Sequence, residues 1–363
     1  MARVSGQDTD AAFMTAALSL AARNLGDIWP NPAVGCVIVK DNLVVGRGWT
    51  QSGGRPHAET KALQRAGASA KGATAYVTLE PCSHHGQTPP CADALIAAGI
   101  ARVVVATGDP DPRVAGRGIA KLQAAGVLVE QGVDKAAADR LNAGFFLRVT
   151  QGRPLFALKT ATSLDGRIAL ANGDSKWITG SLARQAVQAL RARYDAILVG
   201  SGTALADDPM LTCRLEGYTG RPKVRIVLDR SLKLSKTSKL VTTAKDIPTW
   251  LVTARNSPAA EDLAALGVNI IIAEAGGVGK ALAERGLTRV LVEGGGQIAG
   301  AFLKAEMIDE IAWFRAARII GGEGRPAVDG FTTQSLASAP GFQRRETLAF
   351  GDDSLDMLER NQS

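Results

Sequence analysis

Thr74-Ala75-Tyr76-Val77-Thr78-Leu79-Glu80-Pro81-Cys82-Ser83-His84-His85-Gly86-Gln87-Thr88-Pro89-Pro90-Cys91 is the stretch from which the fold is read. Thr74–Leu79 is a short run rich in strand formers, Pro81 stops it, and Ala92–Ala98 beyond Cys91 has helical composition. A strand that leaves through a loop into a helix is half of a β-α-β unit. The alternation continues outward on both sides. Asp10 caps a helix over Ala11–Asn24 that Gly26 ends, and Val34–Val39 and Leu43–Trp49 form strands around a turn at Asp41-Asn42. His57–Ala66 is a helix stopped by Gly67, followed downstream by a strand at Arg102–Ala106, a helix at Gly118–Ala125 and a strand at Val127–Glu130. Buried strands between helices predict an α/β layered domain with a largely parallel sheet. Asn142–Gly144 and Thr150–Pro154 interrupt the pattern, which places a domain boundary near residue 150 and gives domains over 1–150 and 151–363.

The second domain alternates again. Strands are expected at Leu155–Thr160, Ala196–Gly200, Val224–Asp229, Thr249–Val252, Asn269–Ile272, Arg289–Glu293 and Glu310–Arg318. Helices are expected at Ser181–Arg193, Glu261–Leu266, Lys280–Arg285 and Gln297–Lys304. A length of 363 residues fits about two domains. Lys and Arg number 42 against 35 Asp and Glu, a net +7 without a dense basic run. That balance favours small anionic ligands over a nucleic-acid track. No apolar stretch reaches the ~18 residues of a membrane span, and the start of the chain is polar, so a cytoplasmic protein without a disulfide framework is expected.

The chain has three histidines, His57, His84 and His85, all within residues 57–85 and close to Cys82 and Cys91. Imidazole nitrogen and thiolate sulfur are zinc donors, and a catalytic zinc keeps three protein ligands and leaves a fourth position for water. His57, Cys82 and Cys91 supply three. Glu59, in the first turn after His57, is placed to carry protons to and from that water, whose pKa the metal lowers to about 7. Cys91 opens the next helix, whose N-terminal partial charge favours a thiolate. The competing structural reading is a closed zinc knot with His84 or His85 as fourth ligand, but such a knot has no use for Glu59. Cys36 and Cys213 read as small buried hydrophobes.

Zinc nucleobase deaminases carry this logic as His-x-Glu followed by Pro-Cys-x-x-Cys. Here eight residues, 83–90, separate the cysteines, so the loop must bulge out and return. That long loop resembles the bifunctional deaminase/reductase family of riboflavin biosynthesis. So do His57-Ala58-Glu59, Asn31-Pro32-Ala33-Val34-Gly35, Gly72–Glu80, and Asp109-Pro110 with Val114-Ala115-Gly116-Arg117-Gly118. The resemblance covers most of the chain. It implies a cytidine-deaminase-like three-layer domain that deaminates a small phosphorylated pyrimidine, 2,5-diamino-6-(5-phosphoribosylamino)pyrimidin-4-one, with one Zn2+ per chain. Asn31 and His84 would hold base and ribose. Gln87 stands where relatives often have Arg or Lys, so the phosphate must be met by another cation or a backbone amide.

Three features mark the second domain. A strand runs from Lys159 into the polar turn Thr162–Gly166. Gly200-Ser201-Gly202-Thr203 precedes Asp207-Asp208-Pro209. Glu293-Gly294-Gly295-Gly296-Gln297 is a strand, a glycine turn and a helix start, whose exposed amides suit phosphate. Gly294, Gly296 and Ala299 fit the loose G-x-G-x-x-A pattern, which a plain tight turn also satisfies. The resemblance implies a dihydrofolate-reductase-like domain that uses NADPH. It assigns Ala161, Trp177, Thr203, Asp207 and the run Gly295, Gly296, Gln297, Ile298, Ala299, Gly300 and Ala301 to the cofactor. It assigns Ser175, Arg191, Leu211, Arg214 and Glu293 to the substrate, the two arginines suiting a phosphate. Lys159 and Asp207 are the candidate polarising or protonating groups. Trp177 also reads as a helix-entry packing residue with Thr179 or Ser181 as N-cap. The family implies a homo-oligomer, dimer or tetramer.

Two rival readings make different demands. A deaminase acting on nucleic acid, with an accessory nucleotide-binding domain, needs aromatic and basic groups around its pocket. The loop between Cys82 and Cys91 has neither. A zinc-stabilised binding module needs no Glu59.

Overall fold

Described residues in the computed structural model are 6–84 and 89–361. The chain divides into two units, Met1–Gly152 and Arg153–Ser363. In the first unit α1 (Gly6–Ala21), β1 (Gly35–Lys40), β2 (Leu43–Trp49), α2 (Ala58–Ala66), β3 (Thr74–Val77), α3 (Cys91–Ala97), β4 (Arg102–Val105), α4 (Arg117–Ala124), β5 (Leu128–Gln131) and α5 (Lys135–Gln151) follow one another. The sheet order is β2-β1-β3-β4-β5. β1 is antiparallel to β2 and β3, while β3, β4 and β5 run parallel. The sheet is therefore mixed, not largely parallel. The turn at Asp41 and Asn42, both with positive φ (51° and 60°), accounts for the β1–β2 pairing, because a two-residue connection joins only antiparallel neighbours.

Side-chain alternation along β1 splits the core into two layers. Cys36 and Ile38 pack with Ala58, Ala62, Leu95 and Leu122 from α2, α3 and α4. Val37 and Val39 pack with Met14, Ala17 and Leu20 of α1 and with Ala138 of α5. The result is three layers, helices on both faces of one sheet. Two expectations from local sequence fail here. Asp10 does not cap α1 but lies inside it, where it accepts from Tyr76 Oη at 2.6 Å and from both Nη atoms of Arg102 at 3.0 and 2.6 Å. Asn142 does not break the chain. It sits within α5, is 2% exposed, and bridges Ala33, accepting from its N–H at 2.8 Å and donating to its carbonyl at 3.0 Å.

The second unit contains β6 (Leu155–Thr162), β7 (Arg167–Ala169), α6 (Ser181–Ala192), β8 (Ala196–Gly200), α7 (Ser201–Asp207), β9 (Val224–Leu228), α8 (Lys239–Thr242), β10 (Thr249–Thr253), α9 (Pro258–Ala265), β11 (Asn269–Ile272), α10 (Val278–Glu284), β12 (Arg289–Val292), α11 (Gly296–Lys304), β13 (Glu310–Arg315), β14 (Arg325–Pro326), β15 (Phe342–Phe350) and β16 (Asp353–Arg360). The main sheet runs β11-β10-β9-β8-β12-β6-β13-β16-β15. From β11 to β13 every pairing is parallel, and β13, β16 and β15 pair antiparallel. β7 and β14 form a separate small ribbon. Helices cover both faces: α7, α8 and α9 pack over β8, β9 and β10, and Phe302 of α11 meets Phe156 of β6 edge-on at 5.2 Å. The N-cap of α6 is Gly180, without a side-chain cap, rather than Thr179 or Ser181.

Candidate active sites

In the first unit the chain delivers three soft donors to one point. His57 is the N-cap of α2 and Cys91 is the first residue of α3, while Cys82 follows β3 by five residues. His57 Nδ1 lies 3.3 Å from Cys91 Sγ and 3.7 Å from Cys82 Sγ. The three ligand atoms all fall within 4.8 Å of one another. Cys82 is held by the start of α3, its Sγ accepting from Cys91 N–H at 3.3 Å and its carbonyl from Ala92 N–H at 3.2 Å. Hydrogen bonding from Cys91, and then His57, pulls the Cys82 thiol down to about 4 against the effect of burial. That is the thiolate a metal requires. The same contact, with burial, pushes the Cys91 thiol up. One imidazole and two thiols at this spacing fit zinc.

Glu59 is 3% exposed, in the first turn of α2, and burial raises its carboxyl despite the nearby His57. A proton carrier needs a carboxyl moved toward neutral pH. Asn31 packs against Gly54, where an added Cβ would lie 1.9 Å from Asn31 Nδ2, which places Asn31 beside the loop leading to His57. His84 is half-buried, with Nδ1 enclosed and without a hydrogen-bond partner among the described residues. Asp109, 9% exposed, is pushed up to about 6 by burial, and then by the charges of Asp111, Glu80 and Cys82. Asp109 belongs to a motif that carries the family resemblance, but sequence alone assigns it no role in the site. His85 and Gln87 lie outside the described residues.

In the second unit, strand order assembles the site. β12 lies between β8 and β6, with Val292 opposite both Leu158 and Leu198. One residue further along, Lys159, Val199 and Glu293 come level at the C-terminal ends of parallel strands, where ligands bind in α/β sheets. Arg191, on the last turn of α6, grips Glu293: Nε donates to Oε1 at 2.6 Å and Nη2 to Oε2 at 2.9 Å. Its Nη1 donates to Thr212 O at 2.8 Å. Burial alone would raise Glu293, but Arg191 and Lys159 outweigh it and hold the carboxyl below its usual range. Burial pushes the Lys159 ammonium down.

Two adjoining cavities open here, of about 440 and about 1180 Å³. Lys159, Ser175, Trp177, Arg191, Thr203, Asp207, Arg214 and Glu293 line both. Leu211 lines the smaller one, and Ala161 and Gly294–Ile298 line the larger. Ala299, Gly300 and Ala301 line neither: Ala299 and Gly300 are buried, and Ala301 is exposed. Gly300 is glycine for packing, since a Cβ would fall 1.9 Å from Asp329 O. Trp177 is 62% exposed, with the Arg184 guanidinium 4.8 Å over its ring. Sequence reading missed Lys176 and Lys239 in the smaller cavity and Arg184 and Gln188 in the larger. Arg184, Gln188 and Arg191 share one helix face at i, i+4, i+7, a spacing that signals a common wall. Arg225, on β9, is fully buried behind Met210 of the smaller cavity. Its guanidinium, depressed to about 10 by burial, donates to Met210 O, Leu240 O, Ile247 O, Thr243 Oγ1 and Thr249 Oγ1.

These features define a chain that joins a zinc-binding deaminase unit to a reductase unit. Residues 7–107 match the cytidine and deoxycytidylate deaminase zinc-binding region, and residues 154–355 match the RibD C-terminal domain. The riboflavin biosynthesis protein RibD of Escherichia coli is 43% identical over 95% of this chain and 97% of its own length. That of Aquifex aeolicus is 41% identical over 98% and 99%. Among solved structures, Acinetobacter baumannii RibD superposes with a TM-score of 0.90 at 39% identity, covering 98% of this chain and all (100%) of the other. A Thermotoga maritima diaminohydroxyphosphoribosylaminopyrimidine deaminase/5-amino-6-(5-phosphoribosylamino)uracil reductase follows with a TM-score of 0.88 at 36% identity, covering 98% and 100%. The chain belongs to the RibD family, bifunctional deaminase/reductases of riboflavin biosynthesis whose cofactors are zinc and NADPH. Among the described residues no helix is long and apolar enough to cross a membrane.

Proposed function

We propose that residues 1–150 deaminate 2,5-diamino-6-(5-phosphoribosylamino)pyrimidin-4-one, and that residues 151–363 then reduce the ribosyl group of the product to a ribityl chain. The observation that carries the first step is the convergence of His57, Cys82 and Cys91 beside the buried carboxyl of Glu59. Zinc held by those three residues supplies acidity, bringing the pKa of a water to about 7. Glu59 takes the water proton on a carboxylate oxygen and passes it to the departing amino nitrogen, so ammonia leaves neutral. Asn31 and His84 hold the base and ribose.

The second step rests on the cavity over Lys159, Arg191 and Glu293. NADPH supplies the hydride there. Ala161, Trp177, Thr203, Asp207 and Gly295–Ile298 position the nucleotide. Ser175, Leu211, Arg214 and Glu293 hold the substrate. Arg191, committed to Glu293 and Thr212, keeps two N–H donors for it, and Arg214 meets the phosphate. Lys159 Nζ carries the proton that the ribose ring oxygen receives as its bond to C1′ opens, and Asp207 is the alternative proton source. The same reading makes the protein a cytoplasmic homo-oligomer.

The test is an assay of the purified chain with the diaminopyrimidine phosphate, zinc and NADPH, following ammonia and 340 nm absorbance separately. Ammonia release without NADPH, and NADPH oxidation only with the deaminated product, is the expected pattern. NADPH oxidation with no prior ammonia release, or equal use of NADH, would overturn it.

A further inference from the structure

The turn Val114-Ala115-Gly116-Arg117-Gly118 has no part in the chemistry above, yet the structure gives it a definite partner. Glu80, two residues before Cys82, is 4% exposed. Its Oε2 accepts from Gly116 N–H at 2.9 Å and Asp109 N–H at 3.4 Å. Its Oε1 accepts from Gly118 N–H at 2.9 Å and Ile119 N–H at 3.3 Å. Among the described residues no cation pairs with it, so the amides at the start of α4 carry its charge.

The backbone that follows is gripped as tightly. A Cβ on Gly118 would fall 1.9 Å from Pro81 O, so only glycine lets α4 close on Pro81. On the other side Cys82 is fixed by Cys91 and Ala92 of α3. Thr107 O accepts from Glu80 N–H at 2.9 Å. One carboxylate therefore sets three things in register: the Cys82 ligand, the turn bearing Asp109, and the first turn of α4.

We infer that Glu80 is a positioning residue of the metal centre, acting through Pro81 to aim the Cys82 thiolate. The inference rests on the reading of His57, Cys82 and Cys91 as zinc ligands. A residue that only capped α4 would change stability and leave metal affinity alone. Glu80→Gln keeps the shape but turns an NH2 toward amide donors, so the latch loses half of its acceptors.

The test uses the full chain, measuring zinc affinity by chelator competition and the visible spectrum of the Co2+-substituted protein. Glu80→Gln is expected to weaken zinc binding ~10–100-fold and to shift the Co2+ spectrum, while reduction of the deaminated intermediate stays unchanged. Wild-type zinc affinity and spectrum in the variant would overturn the inference, whatever the melting temperature does. If Glu80→Gln does not fold, Gly118→Ala carries the same test by pressing on Pro81 O: weaker zinc supports the latch, and unchanged zinc overturns it. A wild-type chain that binds no zinc would instead overturn the ligand assignment itself.

Discussion

Arg191 and Glu293 meet through two parallel hydrogen bonds of 2.6 and 2.9 Å in a buried pocket, from elements 102 residues apart. The pair fixes the guanidinium plane and leaves Lys159 beside a shared carboxylate. Removing one partner of a buried pair strands the other charge, at a cost of about 3–5 kcal/mol. Glu293→Gln keeps one acceptor, so the low end applies. We expect it to lower the melting temperature of the reductase unit and abolish NADPH oxidation, with ammonia release unaffected. Reductase activity near wild type would refute this.

Glu59→Gln should retain stoichiometric zinc and a native fold, since the amide replaces the carboxyl in shape. Loss of a positioned proton carrier costs about 10²–10⁴ in rate. Ammonia release should fall by that range while the reductase works normally on deaminated intermediate. Full deamination in this variant would remove Glu59 from its assigned role. His57→Ala, by contrast, should fail to hold zinc.

The Asp10–Arg102 pair gives a pH signature. Hydrogen bonding to Arg102 outweighs burial, and with Tyr76 it holds the Asp10 carboxyl below its ordinary value of 3.8. A depressed carboxyl contributes stability that is present above the unfolded pKa and is lost as pH falls through the folded one. Asp10→Asn should therefore destabilise the deaminase unit by about 1–3 kcal/mol near pH 7. The difference from wild type should shrink as pH is lowered from 5 toward 3. Denaturant melts across that range read it directly, and a pH-independent difference would contradict the assignment.

Asn142→Ala should cost about 2–4 kcal/mol, because both the N–H and the carbonyl of Ala33 lose their buried partner. Urea unfolding of the deaminase unit measures it. A loss below 1 kcal/mol would mean that water takes over both bonds.

Much of this was legible in sequence for a physical reason. His57, Cys82 and Cys91 are scarce residue types at the ends of strongly patterned elements, so their convergence could be read from spacing. The Lys159–Glu293 relationship could not, because it depends on β12 inserting between β8 and β6, a non-local choice. β15 was missed because almost every side chain on it is exposed, so it carries no buried alternation. Asn142 misled because a helix-breaking residue type was serving a tertiary contact. Asp10 misled likewise, as a cap-forming residue whose partners lie on β3 and β4.

The strand order of the second unit also bears on how the protein is made. β6, nearly its first segment, pairs with β12 and β13, which begin at residues 289 and 310. The centre of that sheet cannot close until most of the unit has left the ribosome, and such long-range pairings fold slowly. The first unit is complete by residue 152. Domains generally fold as units, N-terminal first. Synthesis thus imposes an order: the metal-binding half can mature and load its ion while the reductase half is still an open chain.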